Sequence, residues 1–354
     1  MTLEELQQVL RGEGDLPVLS EEDLSGMDLS GLDFAGMSLS NVDFSGASLV
    51  DADLREVNVV RCNFEGADLR GAQLTRATVL ESQLPDARLT GLVLDSVTLA
   101  ECHAPNLSLE DTVINGLNLL ECELPGLSLA RSRGDDINIL DSKLYQANFS
   151  GCQLSGLVIL QSDITDLNLR GAQLELPLFY GLDARTLRLG EASVERGQFH
   201  GCHLVDVDWS GLTLDGFGFY DCDMGRVDFS RGRLAQCIFQ RSRLTGVRFA
   251  RCCLPMAIFD DSTLGGCDFT GADMQQACLI SAHLVDSVLR GANLNYADLS
   301  WANLQGCDLG DTQVYRTNFH AARDRNVLWD GCHKGDALWT DPEKLEAEAF
   351  QAKR

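Results

Sequence analysis

Several things are scarce in this sequence, and each scarcity removes a class of protein. No window approaches the roughly eighteen consecutive apolar residues that a membrane-spanning helix needs, so no membrane insertion is expected. Aromatic residues make up only 7% of the chain. Basic residues are few: 28 Lys and Arg stand against 53 Asp and Glu, a net charge of -25. A polyanion of this kind is a poor direct ligand for nucleic acid or an anionic membrane surface. The segment Met1 to Arg11 is polar and acidic and lacks the basic and apolar regions of a signal peptide. A cytoplasmic location is the expectation, with signal-free secretion left open.

Signatures of chemistry are missing too. There is no P-loop, no dinucleotide-binding glycine pattern after a strand, and no H-E-x-x-H. The thirteen cysteines form no C-x-x-C pair. His103, His203 and His283 are far apart in sequence, and Cys102-His103, Cys202-His203 and Cys332-His333 are lone pairs without convergent ligands. No catalytic residue, metal site or cofactor is predicted. A ligand site in the irregular stretch Leu174 to Glu195 ranks last among the functions considered.

What is present is a period of five. From Leu24 every fifth residue is a centre: Leu29, Phe34, Leu39, Phe44, Leu49, Leu54, Val59, Phe64, Leu69, and on to Phe319 without an insertion. Of these 60 positions 57 are large and apolar, the exceptions being Ala104, Gly134 and Ala184. Two residues before each centre lies a small or aliphatic residue, such as Ala47, Ala52, Cys62 or Ala67. Two residues after it, glycine and charge dominate, as at Gly66, Gly71 and Glu81.

Five fits neither the 3.6 of a helix nor a long strand's period of two. Residues two apart point the same way in an extended segment, so the small residue and the centre both face inward. The glycine or polar residue then turns the chain. Four such sides close a square coil of about twenty residues, and stacked coils sit about 4.8 Å apart. Sixty sides predict about 15 coils spanning on the order of 70 Å.

Segments such as Ala67-Asp68-Leu69-Arg70-Gly71 and Ala302-Asn303-Leu304-Gln305-Gly306 resemble the A-[DN]-L-x-x motif of pentapeptide-repeat proteins. The resemblance covers Leu19 to Phe319. It implies an all-β fold, a right-handed quadrilateral parallel β-helix. Leu92, Val97, Leu107, Leu117 and Leu127 depart from the small residue the motif prefers, which predicts wider or distorted coils there.

Residues twenty apart should stack in ladders. Phe179, Phe199, Phe219, Phe239 and Phe259 share one side, with Trp209, Phe229, Phe249 and Phe269 on the opposite one, and a stacked aromatic core follows. Eleven of the thirteen cysteines hold the small inward position and read as buried, reduced thiols; Cys253 and Cys278 are off pattern. Pro85, Pro105 and Pro125 stack at one corner. Beside them Glu81, Glu101, Glu121 and Asp141 recur every twenty residues, a candidate acidic strip for a partner with a basic surface.

A stack of coils leaves raw edges that need caps. Residues 1-18 are expected to form a helical cap, with a Thr2/Glu5 capping box, an apolar face of Leu3, Leu6, Val9 and Leu10, and a stop at Gly12, Gly14 and Pro17. The β-helix should occupy 19-322. Residues 323-354 read as a degenerate coil, with Trp329 and Trp339 still at centres, and a helix beginning at Asp341-Pro342. In that helix Leu345, Ala349 and Phe350 would face either the coil end or a second copy in a homodimer. Arg131 to Asp136 and Leu174 to Glu195 are the poorest repeats, and a bulge or change of twist is expected there.

The favoured function is a non-catalytic protein-binding scaffold or adaptor. One alternative, implied by the family resemblance, is a DNA mimic that binds a gyrase-type topoisomerase or another DNA-binding protein. Residues 1 to 60 carry thirteen acids against Arg11 and Arg55, in its favour. The cluster Arg226, Arg231, Arg233, Arg241, Arg243, Arg248 and Arg251 speaks against a uniform polyanion. A second alternative is an accessory factor or effector of a bacterial secretion system.

Overall fold

The computed structural model describes residues 1–10 and 18–351, apart from the side chains of residues 350 and 351. The chain forms two compact units, Met1–Val194 and Glu195–Arg354. Each is built from parallel pairings at an offset of twenty residues.

The first unit opens with α1 (Leu3–Leu10). Its start is the expected capping box: the Thr2 N–H donates to Glu5 Oε2 at 2.7 Å and the Glu5 N–H to Thr2 Oγ1 at 3.3 Å. Only Leu6 of the expected apolar face is buried; Leu3 and Val9 are exposed and Leu10 half-buried. The chain just before the helix is tied down at the Met1 ammonium, which pairs with Glu22 at 3.3 Å. The expected stop at Gly12, Gly14 and Pro17 lies outside the described residues.

The strands β1 (Val18–Ser20), β2 (Ser38–Ser40), β3 (Asn58–Val60) and β4 (Thr78–Leu80) are short. Each pairs with the next in parallel, so that Leu19, Leu39, Val59 and Val79 stack. β5 (Val93–Ala100), β6 (Val113–Leu120) and β7 (Arg133–Leu140) continue the ladder. β8 (Gln153–Ser155) and β9 (Val158–Leu160) both pair with β7, and β10 (Gln173–Glu175) and β11 (Leu178–Tyr180) follow them. The remaining sides are joined by isolated bridges such as Asp23↔Asp43, Asp28↔Ser48 and Asp33↔Asp53.

The corners explain the period. The residue two after every centre but Ala184 and Leu189 adopts a left-handed backbone, whether glycine, as Gly66 (φ 64°), or not, as Glu81 (φ 47°) and Arg131 (φ 59°). The turn at Gly66, like many others, is closed twice. The Gly66 N–H donates to Pro85 O in the next coil at 2.8 Å, and the Ala67 N–H donates back to Phe64 O at 2.9 Å. The repeated backbone bonds offset the cost of left-handed φ at non-glycine corners.

Leu92, Val97, Leu107, Leu117 and Leu127 are all buried. Where Val97, Leu117 and Ile137 replace the small residue, the strands are the longest in the unit, eight residues each, and run on past the corner. A cavity of about 30 Å³ inside this unit is lined by centres such as Leu54, Val59, Phe64, Val79 and Leu99, together with Val97 and Leu117 from the small position. Its lining is entirely apolar.

The stretch Arg131 to Asp136 contains no bulge, the first of the two departures expected there. Arg133, Gly134 and Asp135 pair in register with Val113, Ile114 and Asn115. Gly134 replaces a large centre because its backbone, at φ 150°, lies so close to Ile114 that a Cβ would meet Ile114 O at 1.8 Å. The second irregular stretch does change conformation: a 3-10 turn spans Leu189–Glu191. The short strand β12 (Ser193–Glu195) follows it.

In the second unit β13 (Gln198–His200) pairs with β14 (Gly218–Tyr220), and isolated bridges carry the same column from Gly218 through Ile238, Ile258, Cys278, Asp298 and Asn318 to Leu338. Regular strand pairing therefore accounts for about ten turns, fewer than the expected count of 15, which includes turns joined by isolated bridges alone.

The aromatic ladders are the core of this unit. Phe199, Phe219, Phe239 and Phe259 stack at 5.5, 5.1 and 4.9 Å with nearly parallel rings. Phe229, Phe249 and Phe269 stack at 5.4 and 4.8 Å, and meet the first ladder edge to face, as in Phe249–Phe259 at 5.7 Å and 83°. Trp209 joins them, but among the described residues its buried indole N–H finds no hydrogen-bond partner.

Candidate docking surface

The acidic strip lies in the first unit. β4 to β7 and β9 each end one residue before a corner, and four of those corners are Glu81, Glu101, Glu121 and Asp141. Their amides fix the alignment: each donates to the chain one coil on, at Ala100 O (3.0 Å), Leu120 O (2.9 Å), Leu140 O (2.9 Å) and Leu160 O (3.0 Å). All four side chains are exposed. Among the described residues no basic group comes within ion-pair distance of any of them.

Nearby acids differ. Arg131 binds both Glu110 (2.7 Å) and Asp111 (2.9 Å). Its hydrogen bonds hold the Asp111 carboxyl below the usual carboxylate range. Glu123 takes Lys143 at 3.2 Å and His103 at 3.1 Å, and hydrogen bonds from Lys143 and then His103 lower its pKa. Pro85, Pro105 and Pro125 stack at the neighbouring corner through their carbonyls, which accept from Gly66, Asp86 and Asn106.

One feature of this surface escaped the reading of the sequence. The residue just before each acid is apolar: Leu80, Ala100, Leu120 and Leu140, with Leu160 continuing the column. All five are half-buried and point outward beside the acids. The signal was available, because leucine directly follows a centre at residues 80, 120, 140 and 160 and at no other of the 60 positions.

The arginine cluster of the second unit is largely self-neutralised. Arg226 pairs with Asp206 (2.6 Å), Arg233 with Asp215 (3.1 Å), Arg241 with Asp221 (2.8 Å), Arg248 with Asp228 (2.9 Å), and Arg243 with Asp223. Arg231 and Arg251 have no ion pair among the described residues and line an open groove with Ser230, Asp268 and Thr270.

The C-terminal residues form a lid on their own coil. Phe319 stacks on Trp339 at 5.1 Å, Trp329 packs edge-on against both, and Lys334 lies 4.4 Å over the Trp329 ring. Neither tryptophan is fully buried, and Trp339 is 40% exposed. The helix α2 (Pro342–Gln351) is capped by Asp341, whose Oδ1 accepts from the Glu343 and Lys344 amides. It is held by a polar contact. The Asp341 N–H donates to Nδ1 of buried His320 at 3.2 Å, which leaves Nε2–H to donate to Glu348 Oε2 at 3.1 Å. Leu345 is half-buried and Ala349 exposed, so Ala349 does not face the coil end as expected. The Phe350 side chain lies outside the described residues.

Among the described residues no group of three or more His, Cys, Asp or Glu side chains converges on a metal position. No described helix is long and apolar enough to cross a membrane.

Fold and surface together define a parallel β-solenoid whose core is built from the centres of five-residue repeats. The family model for pentapeptide repeats matches in 8 copies, over residues 19–55, 47–91, 142–176, 222–259, 257–284 and 282–320. The chain belongs to the pentapeptide repeat family. Similar solved structures include a pentapeptide repeat protein of the Arabidopsis thaliana thylakoid lumen, 27% identical over 29% of this chain and 68% of that one, with a TM-score of 0.20. Another is HetL of Nostoc, involved in heterocyst differentiation regulation: 16% identity, 93% and 94% coverage, TM-score 0.15. A third is full-length QnrB1, a plasmid-mediated fluoroquinolone resistance protein: 16% identity, 65% and 96% coverage, TM-score 0.21. With TM-scores this low, the family assignment rests on the repeat model. No curated protein matches the chain.

Proposed function

We propose that this protein is a non-catalytic binding scaffold whose acidic corner docks a protein with a basic surface. The observation that supports the reading is the run of Glu81, Glu101, Glu121 and Asp141 on consecutive coils, exposed and without basic partners among the described residues. Four like charges about 4.8 Å apart repel by about 1 kcal/mol per pair in water. A basic partner removes that repulsion.

The test is an affinity pull-down from the native cell, with wild type compared to E81Q/E101Q/E121Q/D141N. Capture of a specific basic protein that the variant loses supports the reading; identical capture by both overturns it. If the captured protein is a gyrase-type topoisomerase, the scaffold is a DNA mimic, and inhibition or protection in a supercoiling assay establishes that case.

A second copy docking at the C-terminal end is favoured by the exposure there of Leu328 (53%), Leu338 (50%) and Trp339 (40%). Light scattering of wild type against L338S tests it: a dimer that the variant abolishes supports it, and a monomer in both overturns it.

A further inference from the structure

We propose that the sheet face carrying Leu80, Ala100, Leu120, Leu140 and Leu160 is a docking site for a basic amphipathic α-helix lying along the column of coils. This rests on the scaffold reading above and names the partner's shape and chemistry.

Parallel register puts the five residues side by side: Leu80 against Ala100, Ala100 against Leu120, Leu120 against Leu140, and Leu140 against Leu160. They form an apolar ridge on the outward side of the sheet, and α1 does not pack on it. Two rails flank the ridge. On one side runs the acidic corner. On the other, Thr98, Asn118 and Asn138 are tied into a polar ladder, with Asn118 Nδ2 donating to Thr98 Oγ1 at 3.4 Å and Asn138 Nδ2 to Asn118 Oδ1 at 3.1 Å. That ladder is uncharged, whereas the acidic rail carries one carboxylate per coil with no ion pair among the described residues.

Charge complementarity and spacing select the occupant. Apolar and acidic columns side by side call for apolar and basic side chains side by side. A helix rises about 5.4 Å per turn, against about 4.8 Å per coil. One Lys or Arg per turn therefore keeps pace with one acid per coil, drifting by under about 2 Å over three intervals, within the reach of those flexible side chains. A strand laid along the same line presents a side chain on one face every 6.8 Å or so and drifts by about 6 Å over the same distance. Nor can a strand join the sheet by hydrogen bonds here, because these coils already pair on both sides. Nucleic acid and anionic membrane carry the wrong sign.

The test is fluorescence anisotropy with the full chain and three labelled peptides of one Leu/Lys composition. One has Lys at i, i+4, i+7 and i+11 with Leu on the adjoining face, one is scrambled, and one carries a central Pro. The amphipathic peptide should bind, and the other two about tenfold more weakly. L120Q/L140Q, its fold checked by circular dichroism, should lose about tenfold for the amphipathic peptide and little for the scrambled one. If amphipathic and scrambled peptides bind alike, and only E101Q/E121Q weakens them, the acidic docking survives and the helix proposal is overturned. If no peptide binds, both readings fall. If wild type is a dimer and L120Q/L140Q a monomer, a second copy covers the face and the helix proposal is also overturned.

Discussion

Arg226 grips Asp206, the residue at the same corner one coil earlier, at two points: Nε donates to Oδ1 at 2.7 Å and Nη2 to Oδ2 at 2.6 Å. Arg241 repeats the arrangement on Asp221 at 2.9 and 2.8 Å. These hydrogen bonds hold both carboxyls below the usual carboxylate range. A group with a depressed folded-state pKa contributes stability fully above its unfolded pKa, and loses it as pH falls through the folded one. The difference in melting temperature between wild type and R226Q/R241Q should be small, since the pairs are exposed. It should stay constant down to the ordinary Asp range and close only beneath it. A difference that persists in strong acid contradicts this.

Gly134 is the second prediction. Gly134→Leu restores the repeat at the one centre that holds glycine, and pattern alone says it should stabilise. The structure says the reverse, because Ile114 O occupies the space of a Cβ and φ is 150°. A loss on the order of 1–3 kcal/mol is expected, read by urea unfolding. Stabilisation would mean that the backbone approach at this coil is wrong.

The ladders give a third. Phe239 is fully buried between Phe219 and Phe259, so Phe239→Ala should cost about 3–5 kcal/mol. Trp209→Phe should cost much less than Trp209→Ala. It discards an indole N–H that is buried without a partner among the described residues, and such a group itself costs about 1–3 kcal/mol. Equal losses for the two Trp209 variants in a thermal melt would refute this.

Thiol reactivity supplies a fourth. Burial pushes Cys152, Cys237, Cys267 and Cys307 up to about 12. A thiolate-selective reagent should modify native protein first at Cys253 and Cys332, which are only part-buried. Cys278 is part-buried too, but burial and the neighbouring Asp260 push it up to about 12, so it should follow more slowly, and the buried thiols should react on unfolding. One uniform rate would contradict the packed core.

The centres and their stacking were legible in the sequence because a period of five admits few backbones, and Phe219, Phe239 and Phe259 could be placed from spacing alone. The limits were of two kinds. At the ends, Leu3, Val9 and Ala349 look apolar in pattern, but a short helix on a flat coil end buries only what the coil can reach. His320, which holds α2 through Glu348, carries no periodic signal at all. On the surface, the acids were found from their period of twenty, whereas Leu80, Leu120, Leu140 and Leu160 went unseen. Outward leucines in an apolar-rich sequence do not stand out until the register shows them adjoining.

Carbodiimide footprinting of carboxyls in the full chain, free and bound to its captured partner, tests the docking surface most directly. The account predicts that Glu81, Glu101, Glu121 and Asp141 label readily when free and are protected together in the complex, while exposed acids of the second unit such as Asp261 keep their labelling. If the four label equally in both states while protection appears elsewhere, the acidic corner is not the docking site.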